Sequence, residues 1–122
     1  MSRATPRPSG STTVEPCSVV VTAGPSSVTI TVVGEVDRAA WPTVEQALLA
    51  CLAIDVEMIV VDLSDVAFVS VAVCRDLHRS ICTLVEAQRR VVVVPCRSLT
   101  RVVELLTASG VLPDVAASLL GR

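Results

Sequence analysis

Residues 58–70 read MIVVDLSDVAFVS, and this stretch decides the fold. Its first six residues, Met58 to Leu63, form a short apolar run of the kind that makes a strand covered on both faces in a parallel sheet. Ser64 to Val69 then reads as a loop. Beyond it Val73, Leu77, Ile81, Leu84 and Val85 recur at helical spacing, which predicts an amphipathic helix. A strand followed by such a helix is the first part of a right-handed crossover to a parallel strand.

That next strand is Val91 to Val94, stopped by Pro95. Ser98 is suited to cap a third helix whose Leu99, Val102, Val103 and Leu106 make one apolar stripe, with Gly110 closing it. A last short helix is predicted from Asp114 to Leu120. On the other side of 58–70, Pro42 suits a first helical turn, and Val44, Leu48 and Leu52 follow at i, i+4 and i+8, giving a helix to about Ala53. Ser18 to Thr22 and Val28 to Val33 read as strands, the second with Val28, Ile30 and Val32 inward. The Gly24-Pro25-Ser26-Ser27 turn makes these two antiparallel neighbours. The expected architecture is therefore α/β: a mostly parallel sheet of four to five strands with helices packed on it and the first strand antiparallel. Residues 1–16, rich in Ser, Thr, Pro and Arg, are expected to be a flexible tail to a domain spanning 17–122.

Composition narrows the function. Among 122 residues there is no Lys, one His (His78), one Phe (Phe68) and one Trp (Trp41), while hydrophobic residues reach 52%. Without Lys there is no P-loop lysine and no Schiff base, and a single His excludes a histidine relay or a multi-histidine metal site. The net charge is −2 and the ten basic residues, all Arg, form no run, so the basic stripe and stacking aromatics of a nucleic-acid binder are missing. Five cysteines with no C-x-x-C pair, after a first sixteen residues with no apolar core, point to reduced thiols in the cytoplasm. The uncharged stretch from Pro16 to Gly34 is interrupted by its turn and alternates with period two, so it reads as a hairpin and not a membrane span. Lys, Asn and Tyr, all absent, share AT-rich codons, which fits a GC-rich bacterial gene.

In a parallel sheet the working surface lies at the carboxyl ends of the strands, here the segments after Val33 and Leu63. The first carries Gly34-Glu35-Val36-Asp37 and the second Asp62-Leu63-Ser64-Asp65-Val66-Ala67-Phe68. With Ser109-Gly110 as a helix ending, these elements make residues 18–112 resemble the STAS domain, named for sulfate transporters and anti-sigma factor antagonists. The resemblance implies a small α/β domain that works by binding. It implies an anti-sigma factor partner, itself kinase-like towards serine, whose capture frees a sigma factor for transcription. It also implies a partner surface of Glu35, Asp37, Ser70, Val71, Ala72 and Arg75. In such domains phosphorylation of a serine at the start of the helix abolishes binding, because the added charge is held at the helix N-terminus and repels the partner.

This chain departs from that pattern at the switch: Ser70 stands at the usual Asp position and Val71 at the phosphorylated serine. Valine accepts no phosphate. Either the switch is lost, or Ser70 has become the acceptor, or control comes from elsewhere. The plainer reading of Ser70 is a helix N-cap, accepting from the N–H of Ala72 or Val73, and that of Asp37 is a turn acid ahead of the first helix. Cys74, His78 and Cys82 follow at i, i+4 and i+8, but three ligands drifting around a helix with no fourth make no metal site, and no metal is expected. A redox role for Cys74 and Cys82 is the alternative, since Cys74 sits where a helix dipole lowers a thiol pKa. Arg75, Asp76 and Arg79 lie off the apolar stripe; the plainer reading is solvated charges, the other that on the partner-facing helix they steer association and set which partner is chosen. No nucleophile–base pair, Gly-rich cradle or cofactor motif is present, so no enzyme is expected. The other readings are a STAS accessory subunit of a membrane transport ATPase and a thiol-responsive antagonist.

Overall fold

The computed structural model describes residues 17–108 of the 122. The tail expected over 1–16, the Ser109-Gly110 helix ending and the helix expected at 114–120 lie outside the described residues. Strands β1 (Cys17–Ala23), β2 (Ser27–Val36), β3 (Met58–Val69) and β4 (Arg90–Val94) alternate with helices α1 (Trp41–Ala50, continued by a 3-10 turn Cys51–Ala53), α2 (Val71–Glu86) and α3 (Arg97–Ala108). The four described strands form one sheet in the order β1-β2-β3-β4, with β1 antiparallel to β2 and the rest parallel.

The inward positions expected from the alternation in β2 are the buried ones: Val28, Ile30 and Val32, joined by Ile59, Val61 and Leu63 of β3. Val44 and Leu48 of α1 and Val73, Leu77, Ile81 and Leu84 of α2 complete the core. Each fully buried side chain of this size contributes about 1.5–3 kcal/mol relative to exposure. The opposite face of the sheet carries Val20, Val33, Val92 and Val94, all exposed.

Several expectations are corrected. The segment 64–69 is strand, not loop: β3 runs on to Val69, and its pairing with β2 slips between Thr31 and Val33 and again between Gly34 and Glu35. Each slip places an extra residue in β3, so the period-two pattern breaks although the strand does not. At the first slip the Asp62 carboxylate accepts hydrogen bonds from the Ser64 N–H (3.0 Å) and hydroxyl (2.6 Å), which holds its pKa below the usual aspartate value. Helix α1 tightens into a 3-10 turn after Ala50, which turns Cys51 inward and leaves Leu52 exposed in place of the expected stripe. Val85, also expected inward, is exposed next to buried Leu84.

Ser98 does not cap α3. The Leu99 N–H donates to the Cys96 sulfur at 3.3 Å, so Cys96 takes that position. Ser98 instead reaches across to the end of β3, accepting from the Val69 N–H at 3.0 Å and donating to the Val69 carbonyl at 3.5 Å. Since β4 pairs only as far as Asp62, the last residues of β3 have no strand on that side, and α3 supplies the contact. Helix α2 ends in a Schellman turn with the N–H of Arg89 donating to Leu84 O and that of Gln88 to Val85 O. Gln88 accordingly has a positive φ of 69°.

Candidate partner-binding surface

Strands β2 and β3 finish side by side, with Val36 opposite Val69 and Glu35 opposite Phe68. The Ser70 N–H donates to the Val36 carbonyl at 3.4 Å, so the 34–37 turn and the start of α2 form a single corner. Gly34 holds the bend in β2 with a φ of 113°, a conformation L side chains rarely adopt.

Asp37 organises the entry to α1. Its carboxylate accepts from the Ala40 N–H at 2.9 Å, and its carbonyl accepts from the N–H groups of Ala40 and Trp41 at 3.2 and 2.9 Å. These are the orphan donors of a helix start. Trp41 is buried below, where it lines a small apolar cavity together with Val36, Val44, Leu63, Val69, Val73 and Leu77. The corner therefore rests on core packing.

Ser70 is the N-cap of α2: its backbone is extended, its hydroxyl accepts from the Val73 N–H at 3.2 Å, and its carbonyl accepts from the Cys74 N–H at 2.9 Å. Val71, next in sequence, is 46% exposed. Val71, Ala72 and Arg75 line an open groove of about 460 Å³ with Arg38, Asp76 and Arg79. Arg79 pairs with Asp76 at 3.2 Å. Among the described residues that line it, three arginines against one aspartate sum to +2, in a chain whose net charge is −2.

Of the residues expected at a partner surface, Val71, Ala72 and Arg75 line this groove, while Asp37 and Ser70 do not line it and only precede Arg38 and Val71, which do. Glu35 does not line it; it lies beside Phe68 on the far face of the sheet. Arg38 was not picked out by sequence, whereas Arg75, Asp76 and Arg79 were grouped there as charges off the apolar stripe of α2. The i, i+4 spacing of Arg75 and Arg79 was legible, but their convergence with Arg38 depends on how the turn meets the helix.

The cysteines contradict the expected sign. Cys74 is fully buried, and that burial pushes its thiol up to about 11 despite the opposing charge of Arg75. Desolvation thus outweighs the helix dipole that was expected to lower it. Cys51 is also raised, mainly by burial, with Arg89 acting in the opposite direction. Cys82 is half-buried, its sulfur 3.8 Å from His78 Nε2. Among the described residues, no group of three His, Cys, Asp or Glu side chains is placed to hold a metal, and no helix is long and apolar enough to cross a membrane.

A family model described as Mlab, STAS domain matches residues 19–113. The fold is similar to an anti-sigma factor antagonist from Mycobacterium paratuberculosis, with a TM-score of 0.64 and 25% identity, covering 80% of this chain and 83% of that one. It is also similar to the anti-sigma factor antagonist SpoIIAA in its unphosphorylated form (TM-score 0.54, 17% identity, 79% of this chain and 84% of that one). The Bacillus cell fate determinant SpoIIAA in its phosphorylated form gives a TM-score of 0.56 at 18% identity, covering 79% of this chain and 86% of that one. At these two identities the likeness is one of fold. No curated protein matches the chain.

Proposed function

The chain belongs to the STAS domain family, and from that premise we propose that it is a binding protein of the anti-sigma factor antagonist kind. It captures an anti-sigma factor on the corner between the 34–37 turn and the start of α2, and so frees a sigma factor for transcription. The observation that carries this reading is the bond from the Ser70 N–H to the Val36 carbonyl, which joins two segments far apart in sequence into one recognition patch. The similar antagonist from Mycobacterium paratuberculosis supports the same kind of function. Arg38, Arg75 and Arg79 steer an acidic partner surface and set which partner is accepted. With Val71 at the position of the phosphorylated serine, the patch stays competent without a phosphate switch there, and Ser70 serves as a cap.

Affinity capture from native lysate, with mass-spectrometric identification of what is bound, tests the reading. Ser70→Asn and Ser70→Asp both keep a capping oxygen and differ in charge. The asparagine variant is expected to retain the partner, and Ser70→Asp and Arg75→Glu to lose it. Capture of a transport ATPase, or equal capture by every variant, overturns the proposal.

A further inference from the structure

On the other side of the β3 tip lies a second groove, of about 520 Å³, between β3 and α3. Phe68 and Leu105 stand in it 48% and 64% exposed, beside the half-buried Val102 and Ser98. Arg97 and Arg101 border it, one turn apart on the same face of α3 as Leu105. Neither arginine has an ion pair among the described residues, and no acidic residue among them lines the groove, the nearest in the sheet being Glu35, opposite Phe68 on β2. The chain has two aromatic side chains in all; Trp41 is buried in the core, and Phe68 is held out in solvent.

We propose that this groove is a second docking site, separate from the corner at α2, and that it takes an acidic amphipathic segment of a partner protein. The segment's apolar side chains sit on Phe68, Val102 and Leu105, and its carboxylates meet Arg97 and Arg101, a geometry guanidinium groups favour. Charge selects this occupant over two others. A second copy of the chain docking groove to groove sets Arg97 and Arg101 against their own counterparts, which is repulsive. Residues 109–122 carry a single acidic side chain, Asp114, against Arg122, too little negative charge to meet both arginines. Ser98 fixes the groove's shape, since its hydroxyl ties α3 to Val69, next to Phe68.

The single Phe makes the test clean, because growth on 4-fluorophenylalanine places one fluorine in the full chain, at Phe68. The probe is a synthetic helix-forming peptide with leucines on one face and glutamates on the other. Its controls carry lysine for glutamate or serine for leucine. The expected result is a saturable fluorine shift with the first peptide and none with either control. The double variant Arg97→Glu, Arg101→Glu, altering two exposed side chains, is expected to weaken the binding about tenfold. A response to the lysine peptide as strong as to the glutamate peptide overturns the proposal, as does no response at millimolar peptide. A shift that grows with protein concentration alone assigns the groove to a second copy. A fluorine resonance that does not move between H2O and D2O shows the ring already covered by the chain itself. Either of these last two results also overturns it.

Discussion

The hydroxyl of Ser98 satisfies both polar atoms of the Val69 backbone, taking the N–H at 3.0 Å and giving its own hydrogen to the carbonyl at 3.5 Å. One side chain thus stands in for the neighbouring strand that β4 is too short to provide. Ser98→Ala leaves a part-buried N–H without a partner, which destabilises by about 1–2 kcal/mol. The urea midpoint is expected to fall with the slope unchanged, and amide exchange at Val69 to accelerate. Unaltered exchange there removes the strap role.

Gly34 occupies a φ that side chains reach only under strain, in the middle of a strand paired on both edges with Cys17 and Val66. Gly34→Ala is therefore expected to lower stability by about 1–3 kcal/mol. Thermal unfolding measures it, and a change within a few tenths of a kcal/mol, in either direction, contradicts the assignment.

Gln88 is the reverse case, a residue with a Cβ held at a φ of 69° in the turn after α2. Removing the Cβ relieves roughly 1 kcal/mol of steric cost, part of which is offset by the greater freedom of glycine in the unfolded chain. Gln88→Gly is expected to raise the melting temperature, and a lower one contradicts the strain.

Cys74 gives a pH dependence. Between the ordinary thiol pKa of 9.0 and about 11 the unfolded chain has released this proton while the folded chain still holds it. The unfolded state then binds fewer protons, so stability falls as pH rises through that window. Burial acts on Cys51 in the same direction. Urea midpoints measured up to about pH 11 are expected to decline, less steeply in Cys74→Ala. At neutral pH, iodoacetamide is expected to modify half-buried Cys82 first, with Cys17, Cys51, Cys74 and Cys96, all buried, reacting on unfolding. Early modification of Cys74 refutes its protection.

How much of this was legible in the sequence depends on how local the determining interaction is. Val28, Ile30 and Val32 announce their burial by alternation, and Ser70 announces its cap by standing before a helical stripe; both outcomes are set within a few residues. The strand over 64–69 was hidden because two slipped registers against β2 erase the alternation, and a slip is a property of the pair. Ser98 looked like a cap for the same reason: its bond to Val69 spans twenty-nine residues, while Cys96, a poorer capping type by composition, was nearer to the Leu99 N–H. The thiol of Cys74 was misjudged because the dipole is visible in sequence and full burial is not. At the site, the G-E-V-D and D-L-S-D-V-A-F elements located the corner, whereas Arg38 joins the groove only once the turn is folded onto α2.

Strand β3 passes into the cap of α2 without an intervening residue, since Val69 ends the strand, Ser70 is the cap and Val71 begins the helix. A surface mounted on so short a hinge has little slack to lose. When something lands there, the ordering entropy falls chiefly on the arriving molecule, and its departure rate, more than any reshaping of this domain, governs how long the two stay together.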